Sequence, residues 1–327
     1  MTAKDQTAAA AKVLEKQIEA ECPELDPETR RRLANMGASI ATKKETAKPV
    51  EKDQPEKAQN SELVQLDFWN DGRRAAPNAV FRSALFPALN NQTRTFVKKK
   101  KLFSVEGVDV IFTGEQFDQS DLDVYLELLN LARPFPLGTP VKFSAHALLK
   151  SLGHNIGSSG YDWLHTVITR LTGGVVDMTD HEKRYFGSLL DGGKRNDKTK
   201  EYQIKINPDF AVLFGFGMWA TIDHAQRQAI GRNQTAKSLH AYYSSHAAPA
   251  AHKIETLANV AGVQGYNKKR TVIKAHEVLK SDKVGFLEDY EVTGDAIKTK
   301  IKPTNGQLRH LAKKAAKIKK AKAKDLA

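Results

Sequence analysis

The 327-residue chain carries a single cysteine, three tryptophans and four methionines, and nowhere do about 18 apolar residues run together. The lone thiol, Cys22, excludes an intrachain disulfide framework and a cysteine-rich zinc site, and it fits a reducing compartment. Without a long apolar run there is no transmembrane helix to expect, and Asp5, Lys12, Glu15 and Lys16 interrupt any signal-peptide core. A cytoplasmic protein without membrane contact follows. Enzyme signatures are missing too. No HExxH, GxSxG or carboxylate dyad appears, and GSLLDGGKR has the wrong spacing for a nucleotide-binding loop, with Arg195 where Ser or Thr is needed. His240, His246 and His252 lie six residues apart, and no His-x-His pair gathers a metal beside a tyrosine. The expectation is a non-enzymatic chain that uses no cofactor and no metal.

What is present is positive charge. The chain has 51 Lys+Arg against 38 Asp+Glu, a net charge of +13, which points to a polyanionic partner. The excess is concentrated. Residues 1–60 balance at 11 basic and 11 acidic, whereas residues 252–327 contribute +10. Most of that sits in the lysine-rich stretch from Lys298 onward, which can contact phosphate but reads no sequence.

Residues 1–60 have too little apolar surface to offset the entropy of ordering a backbone, so the chain is expected to begin with a largely disordered arm, 1–64, containing helical pieces at about 8–20 and 27–36. From Leu63 onward aromatic and aliphatic residues arrive close together, and a globular body starts near 65–75. Inside it one order of segments occurs twice. SALFPALN reads as helix, LFSVEGVDVIFTG as a hairpin and QSDLDVYLELLNLAR as an amphipathic helix. VKFSAHALLKSLG is a strand running into a Ser144-capped helix that stops at Gly153, and YDWLHTVITRL is a second helix after a tight turn. Alternating strands in VVDMT, RYFGSLL and YQIKI follow. The second copy begins after INPDF, with helices at about 208–216 and 234–246. KIETLANVAG then closes at Gly262, KKRTVIKAHEVLKS forms the next helix, and a hairpin turns at Thr293-Gly294. The expected fold class is α+β, two tandem winged helix-turn-helix domains at 65–205 and 206–303, followed by a basic tail, 304–327.

In such a motif the second helix enters the major groove, so its outward face should be polar and not acidic. In the second copy Asn267, Lys268, Lys269, Arg270, Thr271 and Lys274 crowd the first turns and are the expected DNA-binding set; the plainer reading is a solvated basic face. In the first copy the candidates are Ser158, Ser159, Tyr161, Asp162, His165, Thr166 and Arg170, which could equally be ordinary surface residues. Its wing offers Lys194, Arg195, Lys198 and Lys200 to phosphate, and Lys98–Lys101 form a further basic run. Gln65-Leu66-Asp67-Phe68-Trp69 resembles the short peptide by which bacterial proteins dock on the polymerase sliding clamp; alternatively Leu66, Phe68 and Trp69 pack on the first domain.

RRAAPNAVFRSALF, FTGEQFDQSDLDVYLELLNLAR, PLGTPVKFSAHALLKSLG, YFGSLLDGG, INPDFAVLF and LHAYYSSHAAP occur in that order and resemble the TrfA-like replication initiators of broad-host-range plasmids. The resemblance implies a protein that binds repeated sites (iterons) in duplex origin DNA and helps open an adjacent AT-rich segment, with single-stranded AT-rich DNA as a further partner. It also implies recruitment of the host initiator, replicative helicase and sliding clamp, and an exchange between active monomers and an inactive homodimer. Rival readings are a winged-helix transcriptional repressor, a clamp-binding adaptor and a nicking relaxase.

Overall fold

The structure is a computed structural model. It describes Leu66 and residues 69–302 except 90–93, 106 and 216–217, together with Thr304, Gln307, Leu308 and Leu311 and, earlier, Lys12, Glu15, Pro27 and Arg31. The chain divides into two units, Met1–Glu62 and Leu63–Ala327. The four described residues of the first are helical, with Arg31 Nε 3.4 Å from Glu15 Oε1; the expected disorder of the arm falls on residues outside those described.

The second unit opens with β1 (Arg73–Pro77) and α1 (Asn78–Phe81). Strands β2 (Phe96–Leu102) and β3 (Val108–Glu115) form the expected hairpin. In β3 the alternation is clean: Val108, Val110 and Phe112 are buried while Asp109 and Ile111 face out, the period-two pattern of a half-buried strand. Helix α2 (Gln119–Ala132) starts at a capping box in which the Asp118 carboxylate accepts backbone N–H bonds and the Asp118 amide donates to the Asp121 carboxylate. Its buried stripe includes Leu122, Tyr125, Leu126 and Leu129. Next come β4 (Val141–Ser144), α3 (Ala145–Ser151) and α4 (Ser158–Gly173). The chain then makes an excursion through β5 (Val175–Asp180) and β6 (Lys183–Ser188), which complete a sheet of order β2-β3-β5-β6. It returns in β7 (Leu190–Asn196) and β8 (Glu201–Ile206), paired with β4 in the order β4-β8-β7.

A 3-10 helix (Pro208–Phe214), β9 (Trp219–Asp223) and α5 (His224–Ala229) lead onward, and β9 pairs back on β1. Then the earlier order recurs: α6 (Gln234–Ser244), β10 (His252–Lys253), α7 (Ile254–Val260), α8 (Lys268–Lys280), β11 (Leu287–Thr293) and β12 (Ala296–Ile301), with strand order β10-β12-β11. The correspondence reaches individual hydrogen bonds. After α3 the amide of Gly153 donates to Lys150 O at 3.1 Å and that of His154 to Leu149 O at 2.9 Å; after α7 Gly262 donates to Asn259 O at 3.1 Å and Val263 to Ala258 O at 2.8 Å. Both are Schellman closures, and both glycines hold the left-handed φ the motif requires, 63° and 68°.

Several expectations are corrected. Residues 83–89 of SALFPALN are not helical: the helix lies upstream at Asn78–Phe81, Pro87 cannot donate inside a helix, and the Ala88 amide instead donates to Ala261 O at 2.7 Å. The helix expected near 208–216 is a 3-10 turn whose Phe210 and Leu213 sit in the first apolar cluster. That cluster includes Ile222 and Ala241, so a boundary at 206 would cut through it. Strands β1 and β9 and helix α5 were not read from the sequence. A second cluster gathers Leu239, Tyr243, Leu257, Val272, Leu279 and Ile297. The lysine-rich end lies almost wholly outside the described residues; Gln307 donates to the Ser244 and His246 carbonyl oxygens at 3.1 and 2.9 Å.

Candidate nucleic-acid interface

Helix α8 buries Val272, Ala275, His276 and Leu279 and turns its other face to solvent. The inner face is fixed by a hydrogen-bond chain. His276 Nδ1 donates to Val272 O at 2.8 Å, which leaves Nε2 to accept from the Tyr243 hydroxyl at 2.8 Å, and burial lowers the ring's pKa so that it stays neutral. On the outer face Asn267, Lys269, Arg270 and Lys274 are exposed. They do not share one role. Lys268 is half-buried and ion-paired with Glu255 of α7. Lys269 reaches the tip of the β11–β12 hairpin, donating to Gly294 O at 2.9 Å and Asp295 Oδ1 at 3.2 Å. Arg270 and Lys274, four residues apart and so on one face, have no ion pair or hydrogen bond among the described residues. These two cations are the ones left uncommitted.

The outward face of α4 is polar but scarcely basic. Ser158, Ser159, Asp162, His165 and Thr166 are exposed and Tyr161 is half-buried. Arg170 is a correction. It is buried, its guanidinium donating to Asp121 Oδ1 at 2.7 Å and ion-paired with Glu115 at 3.1 Å, so it holds α4 against α2 and β3 and cannot enter a groove. Burial, reinforced by the Asp118 charge, pushes the Asp121 carboxyl up to about 7 against the pull of Arg170 and Arg94.

The β7–β8 hairpin carries exposed Lys194 and Lys198, while Arg195 is half-buried, 5.7 Å over the Tyr202 ring and 3.1 Å from Asp197. His165 approaches that ring at 6.2 Å, so Tyr202 joins the hairpin base to α4. Asn196 Oδ1 accepts from the amides of Lys198 and Thr199 and shapes the turn. The Lys98–Lys101 run lies within edge strand β2 rather than before it, exposed, with Lys101 2.7 Å from Asp109.

For the clamp-like peptide, Gln65, Asp67 and Phe68 lie outside the described residues. Leu66 and Trp69 are buried in the first cluster, and Trp69 Nε1 donates to Asn130 Oδ1 at 3.1 Å with Arg133 over the ring. In this arrangement the two apolar residues pack on the first domain and are not presented to a pocket of another protein. The histidines singled out from the sequence sit among aromatic rings. Tyr242 lies 4.5 Å from the His246 ring and 5.3 Å from His252, and His240 is fully buried edge-on to Phe286, neither of its nitrogens hydrogen-bonded among the described residues. Among the described residues no three His, Cys, Asp or Glu side chains are grouped to hold a metal.

Sequence reasoning missed a polar cluster between the first helices of the two repeats. Asp123 of α2 meets Arg227 of α5 and Lys237 of α6, partners 104 and 114 residues away. No local pattern signals a contact across that separation.

The chain is 27% identical over 252 residues to the plasmid replication initiator protein TrfA of Escherichia coli, a match covering 73% of this chain and 64% of that protein's length. Among solved structures it is similar to domains 2 and 3 of RctB, at 12% identity and a TM-score of 0.46 over 70% of this chain and 98% of that one. It is also similar to the Pi initiator protein in complex with iteron DNA, at 10% identity and 0.46 over 72% and 99%. The model of the TrfA protein family matches residues 30–301, most of the length, and the chain therefore belongs to the TrfA family.

Proposed function

We propose that this chain is a plasmid replication initiator that binds repeated sites in duplex origin DNA through two winged helix-turn-helix modules. The modules are α2–β8 and α6–β12; α4 and α8 are the helices that enter the major groove. The observation that carries the reading is the exposed, unpaired pair Arg270 and Lys274 on α8, beside a hairpin whose tip Lys269 ties to the same helix. A guanidinium or ammonium held on a rigid helix and free of carboxylates suits recognition of guanine edges or phosphate. Membership of the TrfA family supports the initiator role. Lys194, Lys198 and Lys98–Lys101 supply sequence-independent contact to the backbone, and the α4 hydroxyls with His165 make a less charged reader. Opening of an AT-rich segment, recruitment of host initiator, helicase and clamp, a cytoplasmic site of action and the lack of any catalytic step belong to the same reading.

Selection of binding sites from random duplexes at physiological salt, followed by footprinting, tests it. Enrichment of one sequence protected over about two helical turns is expected from two modules on one face of the duplex. No enrichment would leave only charge-driven, sequence-blind binding and would overturn the reading.

A further inference from the structure

The apolar residues gather in two clusters, one drawn mainly from each repeat, with Ala241 of α6 in the first and Ala88 in the second. The seam between the repeats also carries a polar network. Asp123 Oδ1 accepts from Arg227 Nε at 2.7 Å, and Asp123 Oδ2 from Lys237 Nζ at 2.5 Å. The same Arg227 donates through Nη2 to Gln119 Oε1 at 2.7 Å and through Nη1 to Lys237 O at 2.5 Å, and Gln119 in turn donates to Phe86 O. Arg227 is 4% exposed at its side chain, Lys237 16% and Asp123 17%. One carboxylate on the first helix of the first repeat is thus clamped by two cations, one of them on the first helix of the second. Burial works to raise the Asp123 pKa, but Arg227 and Lys237 outweigh it and hold the group ionised.

Such a network adds little net stability compared with apolar packing, but its directional bonds are satisfied in one arrangement only. Backbone and apolar contacts also cross the seam, and a cleft of about 840 Å³ opens beside the network, bordered by Trp163, His154, Arg232 and Gln228. On the side of that cleft the directional bonds among Asp123, Gln119, Arg227 and Lys237 hold α2 against α5 and α6.

We infer that Asp123, with Arg227 and Lys237, is a positioning centre that fixes the distance and rotation between α4 and α8, and so selects the spacing between the two half-sites of the recognised DNA. This rests on the two-module reading above. One base pair more or fewer between half-sites displaces one groove relative to the other by about 3.4 Å and about 35°. A rigid seam rejects that change; a loosened one absorbs it.

The test uses the full chain and the duplex won by site selection, with versions carrying one base pair inserted or removed between half-sites. For the unsubstituted protein, affinity is expected to fall about tenfold on either altered duplex, within the usual range of coupling between sites. Asp123→Asn should bring the three duplexes within about twofold of one another, as should Lys237→Gln, which leaves the Asp123–Arg227 pair intact and so preserves folding. Thermal melting confirms that each variant is folded. A folded variant that keeps the original spacing preference would overturn the assignment while the DNA-reading proposal stands, as would an unsubstituted protein indifferent to spacing. Failure of the unsubstituted protein to select any two-part site would remove both.

Discussion

Arg170 and Asp121 face one another across the junction of α4 and α2, a guanidinium nitrogen 2.7 Å from a carboxylate oxygen that is wholly shielded from solvent. An arginine near the end of a recognition helix invites assignment to DNA, yet its partner places it inside. Arg170→Ala removes the nearer of two cations beside Asp121 and a buried hydrogen-bond donor, while Arg94 remains 3.6 Å from the same carboxylate, so unfolding free energy should fall by about 1–3 kcal/mol. The sequence preference of whatever protein remains folded should not change. Denaturant unfolding and repeated site selection check the two halves; a stable variant with altered preference would restore Arg170 to the interface.

Arg270 and Lys274 are expected to behave in the opposite way. Both are exposed and free of carboxylates, so Arg270→Ala or Lys274→Ala should leave the unfolding midpoint unchanged. Affinity for the selected site should fall by about 1–3 kcal/mol with relaxed preference at the base contacted. Equal weakening on every sequence would make them phosphate contacts.

His240 gives the fold a pH dependence. Burial, aided by the nearby charges of Arg227, Arg73 and Lys237 against that of Asp123, lowers its pKa to about 3. The unfolded ring takes up its proton at about pH 6.5. Between those values the unfolded chain binds the extra proton, so this contribution is intact above pH 6.5 and is lost as pH falls, by about 1.4 kcal/mol per unit. Asp121, raised to about 7, acts with the opposite sign over part of the same range. The difference between the unsubstituted protein and His240→Leu isolates the histidine. Parallel stability curves from pH 7 to pH 5 would show that His240 is not held neutral.

The two Schellman glycines should differ in tolerance. A Cβ on Gly153 meets nothing within 4 Å, whereas one on Gly262 would lie 2.3 Å from Pro87 Cβ. Gly153→Ala should cost about 1–2 kcal/mol for the left-handed backbone alone. Gly262→Ala should cost about 1–3 kcal/mol beyond that, because Pro87 must move. Equal melting temperatures for the two variants would contradict the close approach.

Local pattern was enough to place much of the fold. Apolar spacing in residues 119–132 and 268–280, the cap Ser144, and glycines 109 residues apart describe helices, turns and a repeated order without reference to anything distant. The basic outward face of α8 was legible for the same reason, since helical periodicity alone says which side chains point away from Val272 and Leu279. Partnership was not legible. Lys268, Lys269, Arg270 and Lys274 look alike in a sequence, and only the folded chain commits the first two to Glu255 and to the hairpin tip. Arg170 reads as an available group, and Trp69 as either docking or packing, until Asp121 and Asn130, 49 and 61 residues away, are brought against them. Sequence therefore determined which elements form and where the charge lies, because those follow from short-range periodicity. Tertiary structure decided which charges remain free for a partner and how the two repeats are held, because both depend on contacts between residues that the chain order keeps far apart.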